Sequence, residues 1–302
     1  MKTNIALLIF LLIIGLWSGV TFFGSHPSGA TSVPFGITWR VASQAPLIFG
    51  VIPYGTDQAL AQEFTPLSTY LRRHLGREVK LMVASSYKSL GRLLDSGDVE
   101  IARFSAIPYE MFNTANQWEV LCRPVVSGKV FSRGVIVTTA KGPILTLEAL
   151  QGKHFAFVDP YSGTGCIKAK AFFQAKGIDP LTFFGRISFS GNHSASLNGL
   201  RTGLYDGAAV FENALTGSSS GSRVTNPGEE VRRLGFTEWI LTDPIVIRKS
   251  MPSELKENLK DLFVNMKDRE FGASVAAELK SLRNYDGFLA EEEIRNLLPP
   301  KE

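Results

Sequence analysis

The stretch LIFGVIPYGTDQALAQEFTPLSTYLRRHLG, residues 47–76, decides the fold class. Its first part, LIFGVIPY, is short and apolar and breaks at Tyr54 and Gly55, which reads as a strand running into a turn. The next part sets Leu60, Phe64, Leu67, Leu71 and Leu75 at helical spacing on one face, and Gly76 closes it. Strand, turn and amphipathic helix make one β-α unit.

Outward from this unit the alternation continues. VKLMVA (79–84) reads as a strand, YKSLGRLLDSG (87–97) as a helix closing on Gly97, and VEIARF (99–104) as a strand, followed by a turn and IPYEMF (107–112). Such alternation predicts a mainly parallel sheet. SRGVIVTT (132–139) is rich in β formers and meets the polar break AKGP. LEALQGK, HFAFV, CIKAKAFFQAKG, ISFSG, SLNGLRTG and DGAAVF then repeat the pattern through residue 211. TGSSSGSRVTNPGEE (216–230) has the composition of a solvated loop, and DPIVIRKSMP (243–252) opens a final part that is helical from Ser253. The expected organisation is an α/β chain of two lobes, one from residues 45–137 plus 243–302 and the other from 138–242, with the return crossing near Asp243.

Composition bounds the function. A chain of 302 residues, 44% of them hydrophobic, is long enough for a sizeable core and exceeds the usual single-core size. Its 32 basic and 28 acidic residues balance, with no basic run that would track a nucleic-acid backbone, so no nucleic-acid partner is expected. Cys122 and Cys166 are far apart in apolar or helical surroundings and read as free thiols. At the amino terminus, Ile5 to Phe23 carries no charge after Lys2 and approaches the length of a membrane span. Residues 1–30 are therefore either a signal peptide or an uncleaved membrane anchor. Trp17, Phe22 and Phe23 crowd the expected cleavage region, and no nearby cysteine offers a lipid anchor. The single charge at Lys2 places the remainder outside the cytoplasm in either case.

No catalytic motif is present. There is no GxxxxGK[ST], HExxH, GxSxG or CxxC, and the four histidines lack metal-ligand spacing, so no catalytic residues, cofactor or metal are expected. Strand-to-helix turns carry the chemistry instead. HFAFV ends at Asp159, PYSGTG follows, and a helix begins near Cys166. The hydroxyls of Ser162 and Thr164 and the free backbone N–H groups would converge where helix N-termini bind anions. Gly163 and Gly165 would let the backbone approach a ligand without a Cβ in the way. The alternative is that Ser162 or Thr164 is simply an N-cap. Other strand ends carry His193, Ser105 with Tyr109, and Tyr54, and ligands of open α/β sheets bind outside the carboxyl ends of strands.

The strings FGVIPY, VKLMVASSYKSL, GDVEIARFSAIPYEM, LQGKHFAFVDPYSGTG, FSGNHSAS and TDPIVIRKSMPSELKE, in that order, resemble the PhnD-like phosphonate and phosphite binding proteins of ABC importers. The resemblance runs from about Leu47 to about Phe263. It implies a type II periplasmic binding fold, two α/β lobes on a two-crossing hinge, that captures a small oxyanion (phosphonate, phosphite or phosphate) for an ABC permease and ATPase. It further implies that Ser162, Gly163, Thr164 and Gly165 grip the phosphoryl group, that His193 adds a donor, and that Tyr54 and Tyr109 reach in from the first lobe. Glu212 and Asp243 fall where some members use carboxylates for an amine. The family's usual DIAFFGPASY and Gly-Ser-Thr-Ser-Gly become EIARFSAIPY and Tyr-Ser-Gly-Thr-Gly here, so Arg103 stands where an aromatic is usual. A membrane-anchored sensor module built on the same fold is the alternative function.

Overall fold

The computed structural model of the chain describes residues 45–216 and 230–300. The expected signal peptide or anchor, and most of the Ser/Gly-rich loop, lie outside the described residues. No helix among the described residues is long and apolar enough to cross a membrane.

Strand β1 (Leu47–Val51) is buried along almost its whole length, as an unbroken apolar run must be when helices cover both faces of its sheet. It pairs in parallel with β2 (Val79–Val83) and β3 (Ile101–Arg103). The crossovers are α1 (Asp57–Leu75) and α2 (Tyr87–Ser96). Thr56 caps α1 by accepting from the Ala59 N–H, and Ser86 caps α2 through a reciprocal pair with Ser89. Both helices stop at glycines, Gly76 at φ 61° and Gly97 at φ 86°, a conformation that costs residues with a Cβ. Helix α3 (Ala106–Phe112) and the long strand β4 (Trp118–Val126) follow.

The second sheet contains β5 (Phe131–Thr139), β6 (His154–Phe157), β7 (Arg186–Phe189), β8 (Gly207–Phe211) and β9 (Val231–Leu241), in the order β7-β6-β8-β5-β9. Its helices are α4 (Lys168–Ala175), α5 (Pro180–Phe183) and α6 (His193–Arg201). Alternation along β5 sends Ile136 to an aromatic layer of Phe155, Phe157, Phe173 and Phe184 on one face, and Val135 and Val137 to Leu197 and Leu200 on the other. After β9 the chain returns to the first sheet through β10 (Ile245–Arg248), α7 (Ser253–Val264), α8 (Gly272–Arg283), β11 (Tyr285–Ala290) and α9 (Glu291–Ile294). That sheet runs β11-β4-β10-β3-β1-β2.

Two expectations change. Both sheets are mixed rather than mainly parallel: β3, β10, β4 and β11 pair antiparallel in one, and β8, β5 and β9 in the other. The strands that enter and leave the lobes reverse without a helical crossover, which only antiparallel pairing allows. The boundary expected at 137/138 falls inside β5, all of which pairs in the second sheet, so the chain passes between the sheets at residues 127–130. The conspicuous polar break AKGP follows SRGVIVTT, whereas the passage itself is marked only by a short turn with Ser127 and Gly128 at positive φ. The return passage, Thr242 to Pro244, lies alongside. Thr242 N–H donates to the Val130 carbonyl (2.8 Å), Thr242 Oγ1 to the Pro124 carbonyl (2.8 Å), and Arg123 Nη1 to the Thr242 carbonyl (2.7 Å).

Candidate functional site

Between the lobes lies a cavity of about 60 Å³, room for roughly four to six water-sized positions. Tyr54, Arg103 and Asp243 line it from the first lobe side, and Thr164, His193 and Asn213 from the second. The lobes touch around it. His193 N–H donates to the Tyr54 carbonyl (3.3 Å), and the Tyr161 ring lies edge-on to Phe112 with centroids 4.9 Å apart.

The second-lobe wall is a helix end. Residues Gly163–Ile167 form a π turn that continues into α4, giving one helical run whose first turn carries the cavity-lining Thr164. Ser162 is its N-cap: the buried Ser162 hydroxyl accepts from the Gly165 N–H at 3.1 Å. Thr164 lines the cavity. Cap and cavity wall are therefore different residues. A Cβ on Gly165 would sit 2.5 Å from Val158 Cγ2, and one on Gly163 would sit 3.3 Å from Ile240 Cδ1 and 3.4 Å from Ile107 Cδ1. These glycines thus make room for protein neighbours. Gly134 does the same from β5, where a Cβ would lie 2.5 Å from the Thr164 carbonyl oxygen. His193 Nδ1 accepts from the Phe211 N–H (3.1 Å), so the proton of the neutral ring is on Nε2.

The first-lobe wall is a charged cluster that was not singled out as a whole. Arg103 ends β3 with its side chain only 12% exposed, not as a solvated strand-end cation. Its guanidinium carbon lies 4.3 Å from the Tyr54 ring centroid and 6.0 Å from that of Tyr285. Behind those rings the buried Glu63 carboxylate accepts from the Tyr54 hydroxyl (2.5 Å) and the Tyr285 hydroxyl (3.0 Å). Burial alone would lower the Arg103 pKa, but Tyr285, Tyr54, Asp243 and Glu63 hold it well above its ordinary value. Arg103 Nη2 is 3.6 Å from Asp243 Oδ2, whereas its buried Nε and Nη1 have no hydrogen-bond partner. Burial raises the Asp243 carboxyl above its usual range, and Arg103, the Ala106 N–H (3.3 Å), Arg123 and Ser105 oppose that shift.

Some expected residues lie elsewhere. Tyr109 is not on the cavity wall but packs against the first-lobe core, its hydroxyl turned to Asn113. Two residues along a helix turn the side chain by about 200°, and Ile107 takes the cleft-facing position. Glu212 is held in a two-point pair by Arg133, Oε2 to Nε at 2.9 Å and Oε1 to Nη2 at 3.2 Å, and its neighbour Asn213 lines the cavity instead. Both stand in a 3₁₀ turn, Glu212–Leu215, in which adjacent side chains point about 120° apart. Tyr87, the first residue of α2, also lines the cavity, and burial, followed by the charge of Asp243, pushes its hydroxyl well above the ordinary tyrosine value. Among the described residues no group of His, Cys, Asp and Glu could hold a metal ion.

The family model described as "ABC transporter, phosphonate, periplasmic substrate-binding protein" matches residues 49–292. The chain belongs to that family. Members are the extracytoplasmic substrate-binding components of ABC transporters, working with a permease and an ATPase, and are not enzymes. Among solved structures, the chain is similar to a binding-protein component of an ABC phosphonate transporter from Pseudomonas aeruginosa, at TM-score 0.72 and 20% identity over 82% of each chain. It is also similar to PhnD1 from Prochlorococcus marinus in complex with methylphosphonate, at TM-score 0.70 and 16% identity over 83% of this chain and 94% of the other. A protein from Xanthomonas citri bound to ATP follows at TM-score 0.65 and 14% identity, over 83% and 94%. The fold is that of the type II periplasmic binding proteins.

Proposed function

We propose that the interlobe cleft binds a small oxyanion, a phosphonate, phosphite or phosphate, and that the protein hands it to an ABC permease. The observation that carries this is Arg103, a buried cation on the wall of a cavity whose opposite wall is a helix N-terminus. A buried cation is costly unless an anion completes it. Thr164, the first N–H groups of its turn and His193 Nε2 add donors from the other side, and the cavity has the size of a single small ion. Methylphosphonate in the Prochlorococcus relative supports the same ligand class. Ser162 supports the site indirectly, as the cap that shapes the turn.

The apolar run from Ile5 to Phe23 is the segment that would hold the protein at the membrane on the outer side. Its retention predicts membrane-associated protein with an intact Met1 end. A mature start between Gly19 and Thr31, found by intact-mass measurement, would mark a cleaved signal peptide instead.

A thermal-shift panel of phosphate, phosphite, methylphosphonate and aminoethylphosphonate tests the binding reading. A ligand at about 100 times its Kd stabilises the folded protein by about 2.7 kcal/mol. No shift with any of them at millimolar concentration removes the oxyanion reading.

A further inference from the structure

We propose that Glu63, which is not on the cavity wall, is a positioning residue for the ligand: through the hydroxyls of Tyr54 and Tyr285 it holds the Arg103 guanidinium in place at the cleft. The proposal rests on the reading of the cleft as an oxyanion site and adds the residue that keeps its cation seated.

The starting point is a carboxylate in an apolar face. Glu63 shares the buried side of α1 with Leu60, Phe64 and Leu67, at helical spacing, and is only 1% exposed. An apolar residue at this position would serve the core better, because a buried carboxylate costs free energy unless it is paired or hydrogen-bonded. Its two oxygens are shared out. Oε2 accepts from the Tyr54 hydroxyl at 2.5 Å and Oε1 from the Tyr285 hydroxyl at 3.0 Å. Both tyrosines line the cavity, and the Arg103 guanidinium carbon lies 4.3 Å from the Tyr54 ring centroid and 6.0 Å from that of Tyr285.

Two effects reach Arg103 through these rings. Each ring is fixed at its far end, which restricts the seat open to a long, rotatable arginine side chain. A phenol donating to a carboxylate is also polarised so that its ring face becomes more negative, which strengthens the attraction for the cation above it. Arg103 has an alternative nearby. Its Nη2 is 3.6 Å from Asp243 Oδ2, beyond hydrogen-bond distance, and a shift of about 1 Å would close that pair and compete with a ligand for the guanidinium. Tyr54 also links the clamp to the second lobe, since its carbonyl accepts from the His193 N–H.

The direction of the effect separates positioning from other roles. Glu63→Gln keeps the shape, and its amide can accept from one tyrosine and donate to the other. By Coulomb's law alone, removing a negative charge near an anion site tightens binding. As core filling, the change leaves affinity where it was. Positioning predicts a loss.

Titration calorimetry of the full chain with methylphosphonate should show affinity about tenfold weaker in Glu63→Gln than in the wild type, within the range of coupling between contacting residues. In an Arg103→Lys background, where no planar fork remains to be oriented, the same change should cost less than about threefold. Tyr54→Phe and Tyr285→Phe keep the rings and remove one hydroxyl each. Each should weaken binding by about threefold, and together they carry the test if melting shows that Glu63→Gln does not fold. Glu63→Gln that binds as tightly as the wild type or more tightly, or that loses as much in Arg103→Lys as in the wild type, overturns the proposal. So does unchanged affinity in both phenylalanine variants. Wild-type protein that binds neither methylphosphonate nor phosphate overturns the oxyanion reading itself, and the role of Glu63 with it.

Discussion

The two walls of the cleft are built in different ways. The second-lobe wall is local: Ser162, Gly163, Thr164 and Gly165 are consecutive, and one hydroxyl caps the turn that holds the next one in place. The first-lobe wall is assembled from afar. Arg103 comes from β3, Glu63 from α1, Tyr285 from β11 and Asp243 from the return crossing, and Glu63 and Tyr285 are 222 residues apart in sequence. A local wall offers donors whose placement survives changes elsewhere in the lobe. The assembled wall places a formal charge, and its geometry depends on how the first sheet closes around β3.

If that contrast is right, the largest loss comes from the assembled wall. Arg103→Met keeps length and apolar contact with the Tyr54 ring while removing the charge and the planar donor fork. Hydrogen bonds to charged groups contribute about 1.5 to 3 kcal/mol each, so losing two should weaken methylphosphonate binding at least about a hundredfold. Arg103→Lys should recover only part of it, since an ammonium has the charge without the planar fork. Titration calorimetry, with melting of the unliganded proteins as the check on folding, measures both. An Arg103→Met affinity within about threefold of wild type would show that the guanidinium does not touch the ligand.

The local wall is predicted to divide its two losses between two residues. Thr164→Val removes a hydroxyl from the cavity and should weaken binding by about tenfold to a hundredfold, with little change in melting temperature. Ser162→Ala removes the cap and should cost about 1 kcal/mol of stability, with affinity reduced only as far as the turn loosens. Measured together, the variants cross over: one moves affinity, the other melting. Loss of stability without loss of affinity in Thr164→Val would place that hydroxyl outside the ligand's reach.

The same contrast explains what could be read before any coordinates. The lobe alternation, the caps and the PYSGTG turn were legible because each is encoded within one β-α unit, and so was the segment order that matched the family. Arg103 was visible only as a departure, since nothing near it in sequence announces Tyr54, Tyr285 or Glu63 as its cradle. Tyr109 was placed on the wrong side of α3 because a strand-end position does not give the phase of the following helix, and Ile107 holds the cleft side. Asn213 was overlooked beside the more conspicuous charge of Glu212. The lobe boundary slipped by several residues because the polar break AKGP follows β5, whereas the passage between the sheets precedes it.

Glu212 gives the smallest expected effect and the sharpest check on where the first-lobe charge network ends. Its carboxylate binds Arg133 at two points, and Arg133 in turn lies over the Phe236 ring at 3.9 Å and the Trp239 ring at 4.4 Å. That assembly faces away from the cavity, whose wall includes Asn213 but not Glu212. The pair is partly exposed, at 18% and 31% of its side chains, and such pairs contribute about 0 to 1 kcal/mol. Glu212→Gln retains an acceptor for one guanidinium N–H and leaves Arg133 on its aromatic rings. The variant should lose no more than about 1 kcal/mol of stability and bind methylphosphonate and aminoethylphosphonate as the wild type does. A selective loss of aminoethylphosphonate binding would mean that Glu212 leaves Arg133 to meet an amine when ligand enters, and the charged wall would then extend into the second lobe.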